Sequence, residues 1–176
     1  KFPYYKQAVT KDCGPTCLKN IAKHYGKTLN IQKLREYTET TREGSNLMCM
    51  SDAAEKLGFR SIGVKTSLIK LEEVPLPCIL HWNKGHYVVL YDVKTKRSQI
   101  EKLFISDPAI GLMEYKTEEF LNFWIGNNAT QTTEEGITLL LEPSPKFYQL
   151  DSDVDTKNKF GFALLAQYVL PYKSFM

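Results

Sequence analysis

The sequence predicts an α+β fold in which three helices come first and an antiparallel sheet follows. Two patterns support this prediction: apolar residues recur at helical spacing up to residue 58, and short apolar runs separated by turn residues come after them. Strands and helices do not alternate as they would in a parallel α/β fold. With 176 residues and a hydrophobic fraction of 43%, the chain can form one globular domain and a tail.

Three helices are predicted in the first part of the chain. The first begins at Asp12 and ends at Gly26. Its apolar stripe consists of Cys17, Leu18, Ile21, Ala22 and Tyr25. The second helix spans residues 31–37, and the third is capped by Ser51 and ends at Gly58.

Six strands are predicted in the second part, because short runs there are rich in β-branched and aromatic residues. They comprise residues 59–64, 78–82, 87–93, 99–106, 111–115 and 136–141. A helix from Thr117 to Trp124 separates the last two strands, since a threonine followed by two glutamates favours a helix N-terminus.

Composition divides the chain into three parts. Residues 1–142 form the predicted domain, and residues 143–159 are polar and turn-rich, as in a linker. Residues 160–176 are largely apolar, but the apolar run at 160–170 is far shorter than the roughly 20 residues of a spanning helix. Spacing alone leaves two interpretations open: an interfacial helix, or a C-terminal element packed on the domain.

The formal net charge of +3 comes from basic residues that are scattered along the chain. A nucleic-acid partner is therefore not expected, because such proteins cluster their basic residues on one surface. The chain has four cysteines, and the two nearest have neither redox-motif nor zinc-knuckle spacing. This usage favours a reducing compartment.

Cys13 is the candidate nucleophile. It stands at the predicted start of the first helix, where the positive end of the helix dipole favours a thiolate. Gly14 leaves room for a substrate backbone. The side-chain amide of Gln7 and the backbone N–H of Cys13 can together stabilise an oxyanion during acyl transfer. The alternative is that Cys13 is a small buried hydrophobic residue.

His86 is the candidate base among three histidines. It begins a predicted strand and can reach the helix that carries Cys13, whereas His24 is expected on a solvated helix face and His81 in a structural role. Asp107 ends the next strand, where its carboxylate can orient the imidazole. The alternative for Asp107 is a simple Asp-Pro turn.

No metal or nucleotide is expected at this site. Cys13, Cys17, His81 and His86 could supply zinc ligands, but their spacings do not match known structural zinc sites. The chain also has no P-loop motif, so it is not expected to bind ATP through one.

Four stretches carry a family resemblance. They are QAVTKDCGPTCLKNIAKHYG, SDAAEKLGFRSIGVKTS, VPLPCILHWNKGHYVVLYDV and FISDPAIG, which cover most of residues 1–142 in order. The chain resembles the N-terminal peptidase domain of bacterial ABC transporters that process and export peptides with double-glycine leaders.

The resemblance implies a papain-like fold, with Cys13, His86 and Asp107 as the catalytic set and Gln7 at the oxyanion hole. It implies a precursor peptide, with a helical leader and a Gly-Gly site, as substrate. It also implies transmembrane and nucleotide-binding domains in the same transporter, a homodimer in the full protein, and a place on the cytoplasmic face of the bacterial inner membrane. ATP and magnesium would bind only in the nucleotide-binding domain, and residues 160–176 would lead toward the transmembrane domain.

Two other functions use the same residues. A domain that recruits an export substrate without cutting it would keep the fold and lose the productive geometry. A papain-like acyltransferase would use the same triad to transfer an acyl group to an acceptor other than water.

Overall fold

In the computed structural model, which describes residues 1–126 and 134–152, helices fill the first third of the chain and strands fill most of the rest. The helices are α1 (Cys13–His24), α2 (Ile31–Tyr37), α3 (Leu47–Lys56), α4 (Leu68–Leu71), α5 (Thr117–Trp124) and α6 (Pro145–Gln149). The strands are β1 (Phe59–Ser67), β2 (Cys78–Trp82), β3 (His86–Lys96), β4 (Gln99–Asp107), β5 (Gly111–Lys116) and β6 (Glu135–Pro143). The predicted α+β class is confirmed.

The strands form one six-stranded sheet in the order β1-β6-β2-β3-β4-β5, and all neighbouring pairs are antiparallel. A tight turn joins β2 to β3, with positive φ angles of 44° at Asn83 and 59° at Lys84. The connection has three residues, 83–85, and positive φ angles at successive turn residues match the twist of the two strands. The register pairs Trp82 with His86, so His86 lies at the end of the sheet beside this turn.

Both faces of the sheet are covered by helices. Along β3, Tyr87 and Val89 belong to a core shared with α1, α2 and α3. Val88 and Leu90 belong to a second core shared with α4 and α5. Since alternate side chains of a strand point to opposite faces, the sheet lies between two helical layers.

Helix α1 is the central element of the first layer. Of its predicted apolar stripe, Cys17, Leu18, Ile21 and Ala22 are all 0% exposed, and Tyr25 is half-buried. Burial of a side chain such as Leu18 or Ile21 contributes about 1.5–3 kcal/mol to folding. Gly26 has a φ of +88° and ends the helix in the left-handed conformation. The helix that begins with Cys13 is therefore anchored along its length.

Helix α3 begins five residues earlier than predicted. The Asn46 side chain is its cap and accepts a hydrogen bond from the backbone N–H of Cys49 at 2.8 Å. Ser51, predicted as the cap, lies inside the helix, where its hydroxyl pairs with that of Ser61 at 2.7 Å. Asparagine caps a helix as well as serine does, and the buried Met50 extends the apolar face toward Asn46.

The chain remains structured beyond residue 142, where the sequence predicts a linker. Strand β6 continues to Pro143, and α6 follows with Phe147 fully buried between Tyr25 and Phe59. Ser144 donates from its backbone N–H to the carbonyl of Gly58 at 3.0 Å. The sequence did not predict the packing of α6, because this stretch is mostly polar and its buried contact is made mainly by one aromatic residue, Phe147.

The C-terminal prediction lies largely outside the described residues. The structure describes the predicted linker only up to residue 152, and the apolar segment 160–176 lies beyond it. Within the described ranges, no helix is long and apolar enough to cross a membrane.

Substituting Gly58 with alanine should reduce stability through the packing of α6. Gly58 has a φ of +92°, and an added Cβ would lie 2.3 Å from the backbone nitrogen of Phe147. Gly26 has a φ of +88° and no atom within 4 Å of such a Cβ, so it is the matched control. We expect Gly26→Ala to lower the free energy of unfolding by about 1 kcal/mol and Gly58→Ala by at least about 2 kcal/mol, measured by urea unfolding. Equal losses in the two variants would show that α6 does not pack on Gly58.

Candidate active site

Cys13 is the first residue of α1 and is 5% exposed. A short 3-10 turn, Thr10–Asp12, leads directly into the helix, and the backbone N–H of Asp12 donates to the carbonyl of Val9 at 3.0 Å. The helix start has few backbone donors, because Pro15 has no N–H. The N–H groups of Cys13 and Gly14 lie at this positive end of the helix, where a bound anion or oxyanion would meet them.

His86 lies between Cys13 and Asp107. Its Nε2 is 2.8 Å from Oδ1 of Asp107, and its ring lies near enough to Cys13 for that residue to help raise the pKa of the imidazole. Since Nε2 faces the carboxylate, Nδ1 is the atom left for the thiol. The structure thus brings together the three residues predicted as nucleophile, base and orienting carboxylate.

Asp107 is both a turn residue and the partner of His86. Its Oδ1 accepts a hydrogen bond from the backbone N–H of Ala109 at 2.9 Å in addition to the contact with His86. Asp107 is 3% exposed, so its carboxylate is well shielded from water. The two interpretations of the Asp-Pro sequence are therefore compatible.

Gln7 reaches the site through the N-terminal segment. Its backbone N–H donates to the carbonyl of Pro108 at 2.9 Å, which places it beside the turn that contains Asp107. Its Nε2 donates to the carbonyl of Thr10 at 3.4 Å, and its Oε1 is buried without a hydrogen-bond partner. The side-chain amide has a second N–H, and the predicted role in the oxyanion hole would use that donor.

A small pocket of about 120 Å³ opens beside Cys13. The connection between α2 and α3 forms one wall, and the β2–β3 turn contributes Gly85. The full lining is Thr10, Lys11, Cys13, Arg42, Glu43, Gly44, Ser45 and Gly85. A Cβ at Gly14, next to the nucleophile, would lie 2.9 Å from Sδ of the buried Met50, so glycine there lets α1 pack closely on α3.

Cys17 does not share the environment of Cys13. Cys17, one turn along α1, is fully buried and donates its Sγ–H to the carbonyl of Tyr87 at 3.3 Å. Burial, followed by the charges of Cys13 and Asp107, raises the pKa of Cys17 well above its ordinary value. Cys17 is therefore a neutral packing residue at working pH.

The other histidines and the aromatic candidates lie elsewhere. His24 is exposed at the far end of α1 and contacts the ring of Phe2. His81 packs on the ring of Tyr87, and burial lowers the pKa of its imidazole. Trp82 and Tyr87, considered as cleft walls, are core residues at 3% and 7% exposure. In the described ranges, no cluster of three or more His, Cys, Asp or Glu side chains is suited to a metal ion.

The electrostatics of the site favour a protonated His86. Burial lowers the pKa of His86, but the hydrogen bonds to Asp107 and Cys13, together with their charges, outweigh burial and raise it to about 9. At neutral pH the ring can therefore donate a proton to a leaving group. This arrangement suits nucleophilic attack by sulfur followed by proton transfer from the imidazole.

Sequence reasoning missed two parts of the site. Arg35, in α2, binds the carboxylate of Asp12 through two hydrogen bonds, at 2.8 Å from Nε and 2.5 Å from Nη2. The residues between α2 and α3, among them Arg42 and Glu43, line the pocket. Neither has a motif of its own, because both depend on how the helices fold back on one another.

The sequence matches a known protein family and several curated relatives. The model of the "Peptidase C39 family" matches residues 1–136. Among curated relatives, a lactococcin-G-processing and transport ATP-binding protein from Lactococcus lactis subsp. lactis is 35% identical over 142 residues, which is 77% of this chain and 18% of the relative. A probable microcin-H47 secretion/processing ATP-binding protein from Escherichia coli is 33% identical over 126 residues, 72% of this chain and 17% of the relative. The chain thus spans less than a fifth of the length of these relatives.

Two solved structures are similar over most of the described fold. A double glycine motif protease from an AMS/PCAT transporter, in complex with the leader peptide, gives a TM-score of 0.70 at 29% identity, covering 82% of this chain and 93% of that chain. The peptidase domain of Streptococcus ComA, a bi-functional ABC transporter, gives 0.66 at 29% identity, covering 82% and 100%. Both similarities agree with the predicted papain-like α+β architecture.

Replacing Asp107 with asparagine should lower the pKa of His86. The wild-type ring should titrate near pH 9, and Asp107→Asn removes a negative charge while preserving the shape of the side chain. The raised pKa also implies that this interaction stabilises the fold fully below about pH 6.5 and that the stabilisation is lost as the pH rises through about 9. NMR titration of the His86 ring measures the shift. Asp92→Asn, at an exposed carboxylate, is the control and should leave the titration unchanged. A wild-type midpoint near 6.5 would contradict the assignment.

Proposed function

The chain belongs to the peptidase C39 family and is a cysteine peptidase, and from this we propose that it cuts the leader from a precursor peptide after a Gly-Gly pair, as one domain of an exporting ABC transporter. The observation that carries the chemistry is the position of His86, whose ring contacts both Cys13 and Asp107 at the start of α1. The similarity to a double glycine motif protease supports the substrate class.

In the first half of the proposed reaction, Sγ of Cys13 attacks the carbonyl carbon of the second glycine. The carbonyl oxygen becomes an oxyanion, which the backbone N–H of Cys13 and the side-chain amide of Gln7 stabilise. His86 donates its proton to the amide nitrogen as the peptide C–N bond breaks. The cargo leaves with a free amine, and the leader remains as a thioester on Cys13.

In the second half, His86 takes a proton from water, and the resulting hydroxide attacks the thioester carbonyl. The C–S bond breaks, the thiolate of Cys13 leaves, and the leader is released as a carboxylic acid. Asp107 keeps the imidazole oriented and stabilises its charged form in both halves. This role follows from its hydrogen bond to Nε2, which leaves Nδ1 to exchange protons with the substrate.

Glycine at the cleavage site agrees with the size of the pocket. The space beside Cys13 is about 120 Å³, and two of its lining residues, Gly44 and Gly85, have no side chain. Gly44 has a φ of +99°, so a larger residue there would be strained. A backbone without side chains is the substrate that such a restricted entry would accept.

The proposed partners follow from the relatives. Their names describe processing and transport by ATP-binding proteins, and this chain spans less than a fifth of their length. We propose that transmembrane and nucleotide-binding domains of the same transporter, a homodimer, accompany this domain at the cytoplasmic face of a bacterial inner membrane. ATP and magnesium would be bound by the nucleotide-binding domain. The precursor would present its leader as a helix.

Residues 160–176 are proposed as an interfacial segment that leads toward the transmembrane domain. The change from a polar stretch to FGFALLAQYVL supports this proposal, because an apolar helix of that length can lie in a membrane interface but cannot cross the bilayer. The candidate site residues all precede residue 152, so the segment is not expected to contribute to the chemistry.

Cleavage of a synthetic precursor tests the function. The peptide carries a leader, a Gly-Gly pair and a short cargo, and mass spectrometry of the products should show one cut after the second glycine. Cys13→Ala should abolish the cut while leader binding changes little, because sulfur acts in the chemistry and not in docking. Cys17→Ser is the matched control, since serine can also donate to the carbonyl of Tyr87, and it should retain most of the activity.

The other outcomes of this assay are distinct. Leader binding without any cut by the wild-type chain would indicate a recruitment domain. Transfer of the leader to an added amine, in preference to water, would indicate an acyltransferase. A cut at another sequence would leave a peptidase but overturn the Gly-Gly specificity.

Removal of the tail tests the domain boundary. Chains of residues 1–152 and 1–176 should have kcat/KM values within about twofold of each other, because the proposed chemistry lies entirely in the shorter chain. Only the longer chain should sediment with phospholipid vesicles. Loss of catalysis in a folded 1–152 chain would make the tail part of the enzyme, and equal sedimentation of the two chains would refute the interfacial segment.

A further inference from the structure

The residue before the nucleophile has an unusual arrangement for a helix cap. Asp12 occupies the N-cap position of α1, yet its side chain accepts no hydrogen bond from the first turn of the helix. An aspartate at this position ordinarily accepts one from the second or third residue of the helix. Here the carboxylate is directed to another element instead.

The partner of Asp12 is Arg35 of α2. The guanidinium donates from Nε to Oδ1 at 2.8 Å and from Nη2 to Oδ2 at 2.5 Å, so the contact is bidentate. The Asp12 side chain is 0% exposed and that of Arg35 is 25% exposed. A paired, two-point contact of this kind fixes orientation as well as distance.

The contact between Asp12 and Arg35 determines where the Asp12 carboxylate lies relative to the backbone N–H groups at the start of α1. Pro15, the third residue of the helix, has no N–H, so Gly14 is the residue from which an N-cap carboxylate would accept a hydrogen bond. A carboxylate that turned back over the first turn would take the N–H of Gly14. It would also place a negative charge where the substrate oxygen becomes negative. Arg35 holds the carboxylate away from both donors.

The contact also fixes the peptide group that supplies the donor. The N–H of Cys13 belongs to the peptide between Asp12 and Cys13. Asp12 is held on one side through its backbone N–H to Val9 and on the other through its side chain to Arg35. With both held, the direction of the Cys13 N–H is set before substrate arrives.

We infer that the Asp12–Arg35 pair is a positioning device for the oxyanion hole: it orients the backbone N–H of Cys13 and keeps the Asp12 carboxylate off the first turn of α1. This inference rests on the proposed function, because it concerns the oxygen that becomes negative during peptide cleavage. The two residues act through Cys13 and do not touch the reacting atoms.

Two reactions of the same thiol separate this role from a structural one. Peptide cleavage passes through an oxyanion and needs the hole. Alkylation by iodoacetamide needs only the thiolate, because sulfur displaces iodide at a CH2 carbon and no oxygen gains charge. A positioning role predicts that cleavage is lost while alkylation of Cys13 is preserved.

The test variant is Arg35→Lys, which retains the positive charge but loses the bidentate geometry. On the Gly-Gly precursor we expect kcat to fall about 10- to 100-fold and KM to stay within about twofold. The rate of Cys13 alkylation, followed by mass spectrometry of the modified peptide, should stay within about threefold. Asp12→Asn, which retains the shape of the side chain but offers only one acceptor atom, should show the same split. Arg97→Lys, at the exposed β3–β4 turn, is the control and should match the wild type.

Several results would overturn the inference. They are an equal fall in cleavage and alkylation, no change in either, or a rise in KM with kcat retained. Loss of folding in both Arg35→Lys and Asp12→Asn, seen by circular dichroism, would make the pair structural and would also overturn it. A wild-type chain that leaves the precursor intact would instead refute the proposed function, and the inference would fall with it.

Discussion

The packing of α1 against β3 is the interaction on which the site depends. Cys13 and His86 belong to different halves of the chain, and they meet because the buried face of α1 lies on Tyr87 and Val89. The Sγ–H of Cys17 donates to the carbonyl of Tyr87, the residue directly after His86, and so ties the helix to the strand next to the site. The apolar core provides most of the energy of this contact, and the hydrogen bond fixes where along the strand the helix sits. Precise placement of the thiol and imidazole is therefore a consequence of ordinary core packing.

A second constraint is that each buried carboxylate near Cys13 has a partner. Asp107 is 3% exposed and pairs with His86, and Asp12 is 0% exposed and pairs with Arg35. The hydrogen bonds from Arg35 lower the pKa of Asp12 despite its burial, so it remains charged. An unpaired carboxylate in either place would be costly to bury and would oppose negative charge on sulfur or on the substrate oxygen. The polar pairs around the nucleophile thus satisfy a folding requirement and a chemical one together.

Elements with strong local signals were predictable from the sequence, and contacts between distant elements were not. Helix α5 and strand β2 have the predicted bounds, because their apolar patterns and flanking turns agree. The candidate residues Cys13, His86 and Asp107 could be named from a helix start, a strand start and a strand end. Whether Asn46 or Ser51 caps α3 depends on where the buried face of that helix begins. The contact of Arg35 with Asp12 depends on how α2 packs against the start of α1. Helix α6 was hidden for a related reason, since one buried residue, Phe147, holds it in place.

The two ends of α1 have different surroundings: Cys13 and the small pocket lie at one end, and α6 packs near the other. At the far end of the helix, the buried Lys27 donates to the carbonyl of Phe147, and its Nζ lies 4.3 Å from the centre of that ring. A helix of 12 residues is about 18 Å long, so this attachment lies well away from Cys13. The end that carries the thiol lines the small pocket, whereas residues just past the opposite end contact Phe147 of α6. Because α1 is one continuous helix, it holds Phe147 of α6 and the small pocket apart at opposite ends of its axis.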